Sequence, residues 1–258
     1  MATRHDLLIE LGLTPQWRLR ALPVAEADAG AAPREVPTGA MSAAEPAVAP
    51  PAGSIARLDR IAALTWDSLA PDIAQCVACG LCKTRHKTVP GVGDTHADWM
   101  FVGEAPGAEE DARGEPFVGQ AGRLLDSMLG ALGMTRTRNV YIANVLKCRP
   151  PNNRTPEAGE AEACRPYLER QIDLIRPKLI VALGKSAASL LLGTDATIAS
   201  LRGRLHQYRG VPLIVTYHPA YLLRSLPDKA KAWEDLVLAR TTVAQSAGNG
   251  PALASSVP

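Results

Sequence analysis

The chain has 258 residues, 47% hydrophobic and 4% aromatic, with a formal net charge of +2. That balance predicts one ordinary domain with a packed core plus extra segments, and it excludes a fibrous or wholly disordered chain. Charge is uneven: residues 1–70 hold six Arg against eight acids, whereas residues 71–240 hold 22 Lys/Arg against 18 acids, a bias that suits a polyanionic partner without identifying one.

No apolar run is long enough to span a membrane. The first residues carry Asp6 and Glu10 inside their apolar stretch, which is unlike a secretory signal. A cytoplasmic location is expected, where thiols stay reduced. An odd count of five Cys, most of them closely spaced, then argues for a metal site rather than disulfides.

Residues 1–20 predict a short amphipathic helix with Leu7, Leu8, Leu11 and Trp17 near one face, a candidate docking element for an unknown protein. In residues 21–54, 21 of 34 are Ala, Pro or Gly and none is aromatic; such a segment cannot bury a core and reads as a disordered linker. The folded domain is expected over 55–240, with a flexible tail at 241–258. Its first helix is predicted from Ser54 toward Leu69, stopped by Pro71. Apolar runs at Trp99–Val102, Val140–Ala143, Lys178–Leu183 and Leu213–Thr216 read as strands. Ala121–Leu132, Glu157–Ile175 and Ser186–Leu192 read as helices between them. This alternation predicts a three-layer α/β/α sandwich around a central, mostly parallel four-stranded sheet. Ligands of such sheets bind beyond the carboxyl ends of the strands, where Glu104, Asn144, Gly184 and His218 fall.

Cys76, Cys79 and Cys82 are each separated by two residues, and Cys148 and Cys164 follow later. A C-x2-C turn supplies two thiolates and two later Cys complete a set of four. Spacing alone separates neither zinc from iron–sulfur nor Cys76 from Cys82 as the spare. After the first strand comes GEAPGAEED, a Gly/Pro turn that lets backbone N–H groups approach a ligand. Its carboxylates could orient a water or stabilise a cationic transition state. Phe117, one of only two Phe, lies in a Gly-flanked loop and could stack on a base.

The stretches GEAPGAEED, EPFVGQAGRLLD, VYIANVLKCRPPNNRTP, LIVALG and TYHPAYLLR, in that order from about Cys76 to Arg240, closely resemble the type-4 uracil-DNA glycosylases. The resemblance implies the uracil-DNA glycosylase fold and an enzyme that flips uracil out of single- or double-stranded DNA. It then hydrolyses the N-glycosidic bond, leaving an abasic site for base excision repair. It also implies a [4Fe-4S] cluster held by Cys76, Cys79, Cys148 and Cys164, with Cys82 not a ligand. Glu104, Asn144 and His218 are the implied catalytic residues. Ala105, Glu110, Phe117, Asn144 and His218 are implied to bind uracil, and Arg149, Arg154, Tyr221, Leu222 and Arg224 to contact DNA. A monomer is expected. Asn144 carries both a donor and an acceptor, so it matches the uracil edge and mismatches cytosine. Either Glu110 or Phe117 could reject the thymine methyl. Relatives that trap themselves on abasic DNA carry a longer His-containing loop before the last cysteine. Lys147–Arg165 has no His, so turnover is expected. The competing readings are such an abasic-site trap, a non-catalytic DNA-binding relative, and a structural zinc protein.

Overall fold

Four apolar segments form parallel strands near the predicted positions, and two short strands extend the sheet at its edges. The computed structural model describes residues 52–248. The predicted helix at 1–20, the linker up to residue 51 and tail residues 249–258 lie outside the described residues. In chain order the elements begin with helices α1 (Ala52–Ala62) and α2 (Trp66–Ala74). Strands β1 (Val92–Gly93) and β2 (Trp99–Gly103) lead to helices α3 (Ala108–Arg113) and α4 (Gln120–Ala131). Then come β3 (Val140–Asn144), α5 (Ala158–Ile175), β4 (Leu179–Leu183), α6 (Lys185–Leu192) and α7 (Ile198–Leu201). The chain continues with β5 (Leu205–Tyr208), β6 (Val211–Thr216), α8 (Pro219–Leu222) and α9 (Asp228–Gly248).

The sheet order is β1-β3-β2-β4-β6-β5, with the four central strands parallel and both edge strands antiparallel. Every residue of β2, β3 and β4 is buried, as expected of strands covered on both faces. Successive side chains alternate between those faces. Met100, Val102, Ile180 and Ala182 pack with Leu168 and Ile172 of α5 and Ala188 of α6. Phe101, Ile142, Val181 and Ile214 pack with Leu125 and Leu129 of α4 and Leu236 and Ala239 of α9. The three predicted layers are therefore present.

The sheet has six strands rather than the four expected. β1 is only two residues long and contains a glycine, too short to show a period. β5 alternates exposed and half-buried residues and is tied to β6 by a two-residue turn. Arg209 and Gly210 there have φ of 49° and 79°, as a hairpin turn of the primed type requires. The predicted helix from Ser54 is also two helices. Thr65 caps the second through Ser68, and Arg170 Nε takes the carbonyl of Leu64 at the break, at 2.7 Å. Pro71 does not stop the helix but lies inside it, because Leu69 and Ile73 are buried against Ile61 and Tyr167 and that packing offsets one missing hydrogen bond. The predicted tail is corrected as well: α9 runs on to Gly248, with Thr242 buried and Val243 packed against the core.

α9 also fastens the end of β6. Asp235, 1% exposed, accepts from Arg202 Nε at 3.1 Å and from the Gly203 N–H at 3.1 Å. Arg202 lies over the Tyr217 ring, 5.5 Å from its centroid. Removing one partner of a buried pair strands the other, though Glu234 also reaches Arg202, at 3.5 Å. Asp235→Ala is predicted to lower the unfolding free energy by about 3 kcal/mol, read from urea denaturation.

Candidate active site

The carboxyl ends of β2, β3 and β6 open onto one cavity of about 590 Å³. Glu104, Ala105, Glu110, Phe117, Asn144 and His218 all line it, so the predicted catalytic and uracil-binding residues come together. The parallel register sets Gly103 opposite Asn144. A Cβ on Gly103 would stand 2.7 Å from the Phe117 ring and closer still to Asn144 Oδ1. Only glycine lets those two side chains meet at the strand ends. Asn144 is 2% exposed, and among the described residues no protein group hydrogen-bonds its side-chain amide, which leaves both its donor and its acceptor for a ligand.

His218 stands two residues beyond β6 as the N-cap of α8, with Pro219 at the first helical position. Its Nδ1 accepts from the Ala220 N–H at 3.1 Å. That bond assigns the ring proton to Nε2, which makes Nε2 a donor. Gly184 sits behind the ring with φ of 92°, where a Cβ would come 2.9 Å from His218 Cβ. Burial brings the His218 pKa down to about 4, with Arg224 acting the same way and Glu110 opposing. The imidazole is therefore neutral at physiological pH. Phe117 lies beside it, ring centroids 5.5 Å apart and tilted by 30°. The Glu104 carboxyl is pushed above its usual value by burial, partly offset by a hydrogen bond with Ser186.

Other predicted residues have different partners from those expected. The Glu110 carboxylate accepts from the N–H groups of Gly107 at 3.1 Å, Val118 at 3.0 Å and Gly119 at 3.4 Å. It braces the Phe117 loop while lining the cavity. Leu222 is 1% exposed and packs with Tyr217 and Ala232, so it cannot be the surface contact expected of it. Its neighbour Leu223 is 40% exposed and Leu226 is 63% exposed; helical turning, not sequence order, decides which leucine faces out. Tyr221 stacks on Tyr217 at 5.1 Å and donates to Asp228 at 2.6 Å. Arg154 lines the cavity but forms a two-pronged pair with Glu160, which leaves less of its charge for phosphate. Arg149 Nε donates to Asn153 Oδ1 at 2.7 Å, and Arg224 lines the cavity mouth.

Away from this cavity, Cys76, Cys79, Cys148 and Cys164 line a second one, and Cys82 is not among its walls. Among the described residues no three His, Cys, Asp or Glu side chains converge closely enough for one metal ion. Arg85 Nη1 donates to Cys148 Sγ at 3.2 Å, and the Lys147 N–H donates to Cys164 Sγ at 3.2 Å. Burial pushes the Cys164 thiol up to about 12, with the Lys147 ammonium opposing. The Lys147 ammonium, 1% exposed, donates to the Asn144 carbonyl at 2.7 Å and to Gln171 Oε1 at 2.6 Å.

Residues 90–237 match the uracil DNA glycosylase superfamily. The chain belongs to that superfamily. It is 47% identical over 165 residues to the type-4 uracil-DNA glycosylase of Archaeoglobus fulgidus, covering 61% of this chain and 82% of that protein. It is 45% identical over 174 residues to that of Pyrobaculum aerophilum, covering 64% and 88%. It is 43% identical over 178 residues to that of Saccharolobus solfataricus, covering 66% and 82%. The superfamily match includes all three strand ends that build the cavity. The glycosylase site also depends on residues that sequence reasoning passed over. Gly103 and Gly122 make room for Phe117, and Arg136 holds its loop. The glycines stood in quoted motifs; Arg136 gave no signal, because its partners are carbonyls distant in sequence.

The neutral His218 yields a pH prediction. The unfolded chain takes up a proton on this residue near pH 6.5 that the fold refuses down to about 4. Its share of stability is thus complete above the unfolded value and falls as pH drops between the two. In NMR titrations the His218 ring signals should stay at their neutral positions from pH 8 to about 5.5; a midpoint near 6.5 would contradict the assignment.

Proposed function

We infer that this protein is a uracil-DNA glycosylase, which hydrolyses the N-glycosidic bond of deoxyuridine in DNA and leaves an abasic site. The observation that carries this reading is the convergence of Asn144, neutral His218 and Phe117 on one cavity at the strand ends. A base inside a duplex is out of reach of such a cavity, so the nucleotide enters flipped or single-stranded. Phe117 stacks on the uracil ring. The Asn144 amide donates to uracil O4 and accepts from N3–H, a pattern that cytosine reverses. As the bond breaks, negative charge grows on uracil O2 and positive charge on the sugar. The His218 Nε2–H donates to O2 without giving up its proton, because a neutral imidazole is a far weaker acid than its cation. Glu104 lies on the sugar side, where its carboxylate favours the cationic sugar and orients water. Thymine shows the same hydrogen-bonding edge as uracil, so it has to be excluded sterically at its C5 methyl, by Glu110 or Phe117.

On the surface, Arg149 and Arg224 are placed to meet phosphate, and Leu223 rather than Leu222 to enter the duplex. Cys76, Cys79, Cys148 and Cys164 hold a [4Fe-4S] cluster, supported by their shared cavity and by the Arg85 guanidinium and Lys147 backbone N–H that donate to two of the sulfurs. The cluster's part is structural: it would tie the segment after α2 to the loop after β3 and to α5. With no His in Lys147–Arg165, the protein turns over rather than crosslinking to abasic DNA.

The decisive experiment incubates the protein with a uracil-containing oligonucleotide, then applies alkali and looks for strand cleavage at the uracil. A non-catalytic DNA-binding relative would leave the strand intact. His218→Ala should lower the single-turnover rate by roughly 10²–10³. Asn144→Asp should lower uracil excision steeply and admit weak cytosine excision, with DNA binding largely kept. Near-normal uracil excision by both variants would refute the site. Iron and sulfide analysis tests the cluster: Cys82→Ser should retain full content, while serine at Cys76, Cys79, Cys148 or Cys164 should lose it. Equal loss in all five variants would remove the assignment of Cys82 as the spare.

A further inference from the structure

We propose that Arg136 is a positioning residue for base excision, acting through Phe117. This inference rests on the reading of Phe117 as the aromatic that stacks on uracil. Arg136 lies on the loop between α4 and β3 and does not line the cavity. Its guanidinium reaches into the loop that carries Phe117. Nη1 donates to the Pro116 carbonyl at 2.9 Å, and Nη2 donates to the carbonyls of Phe117 and, at 3.4 Å, of Gly122. Nε pairs with Asp126 Oδ1 at 2.5 Å, which orients the fork.

The grip matters because of the backbone it holds. Phe117 has φ of 55°, the left-handed region that a bulky residue enters only when its surroundings impose it. A Phe at this position in an extended conformation would send its ring elsewhere. The peptide unit joining Phe117 to Val118 is held at both ends. Its carbonyl is taken by Arg136 and its N–H by Glu110, at 3.0 Å. A cation on one side and a carboxylate on the other thus fix the plane of one peptide, and with it the direction of the ring. Gly122 completes the fit, since a Cβ there would collide with the Phe117 carbonyl. A Lys at 136 could meet Asp126 and one carbonyl but not three, because its ammonium is a single point rather than a planar fork.

The test is a double-mutant cycle read by single-turnover excision on a single-stranded uracil oligonucleotide, with oligonucleotide affinity measured beside it. Phe117→Ala should lower the rate roughly ten- to a hundred-fold, the loss expected of one stacked base. Arg136→Met should lower it about ten-fold or more with affinity little changed, as misplacement of a positioned group does. In the Phe117→Ala background the same change should cost less than about two-fold, because the ring it orients is gone. A residue that only supported the fold would cost the same in both backgrounds, and that result would overturn the proposal, as would a normal rate in Arg136→Met alone. If Arg136→Met does not fold, Arg136→Lys runs through the same cycle with a smaller expected loss and the same criterion of non-additivity. A normal rate in Phe117→Ala, with Arg136 untouched, would instead remove the stacking reading, and this inference with it.

Discussion

The parallel pairing of β2 with β3 sets Gly103 directly opposite Asn144, and the cavity is built outward from that pair. A side chain at 103 would occupy the space where the Asn144 amide and the Phe117 ring come together. The backbone pairing continues past the strands, with the N–H groups of Val145 and Leu146 donating to the carbonyls of Gly103 and Glu104 at 2.9 and 3.0 Å. Glu104 and Asn144 therefore leave the sheet side by side, held by ladder hydrogen bonds rather than by a flexible loop. Rigid placement of this kind is what a site needs if charge is to develop against preoriented donors.

Burial then sets the electrostatics. The same exclusion of water that keeps His218 neutral strengthens the hydrogen bond it can give. Its tautomer is fixed by a backbone N–H within its own helix cap, so no further side chain is needed to orient it. Glu110 shows the opposite arrangement, a carboxylate in the cavity wall whose acceptors are occupied by backbone N–H groups. Lys147 links the two cavities physically. Its ammonium holds the Asn144 carbonyl while its backbone N–H meets Cys164. The thiol-lined region and Asn144 thus share one buried neighbour.

The central strands were legible because each is a continuous apolar run of about the length a doubly covered strand needs. Helices α4 to α6 were legible from their spacing and from the Gly and Pro around them. β1 and β5 were not, since a two-residue strand and a half-exposed hairpin arm carry no apolar pattern. Local propensity makes Pro71 a stop, yet the burial of Leu69 and Ile73 outweighs it. The segment after Arg240 looks like a loose tail in sequence, while Thr242 and Val243 find the core all the same.

For the site, sequence alone settles the chemistry of the parts. It supplies the amide, imidazole, aromatic and carboxylate, places them after strands, and through its ordered motifs points to one family. Tertiary structure decides which parts meet. It gathers Cys76, Cys79, Cys148 and Cys164 around one cavity and leaves Cys82 outside, turns Leu222 inward and Leu223 outward, and brings Arg136 across to the Phe117 carbonyl. The reason is physical. Residue spacing governs only neighbours within a turn or a strand, whereas groups arriving from three strand ends are brought within reach of one another by sheet register and side-chain packing, which exist only once the chain has folded.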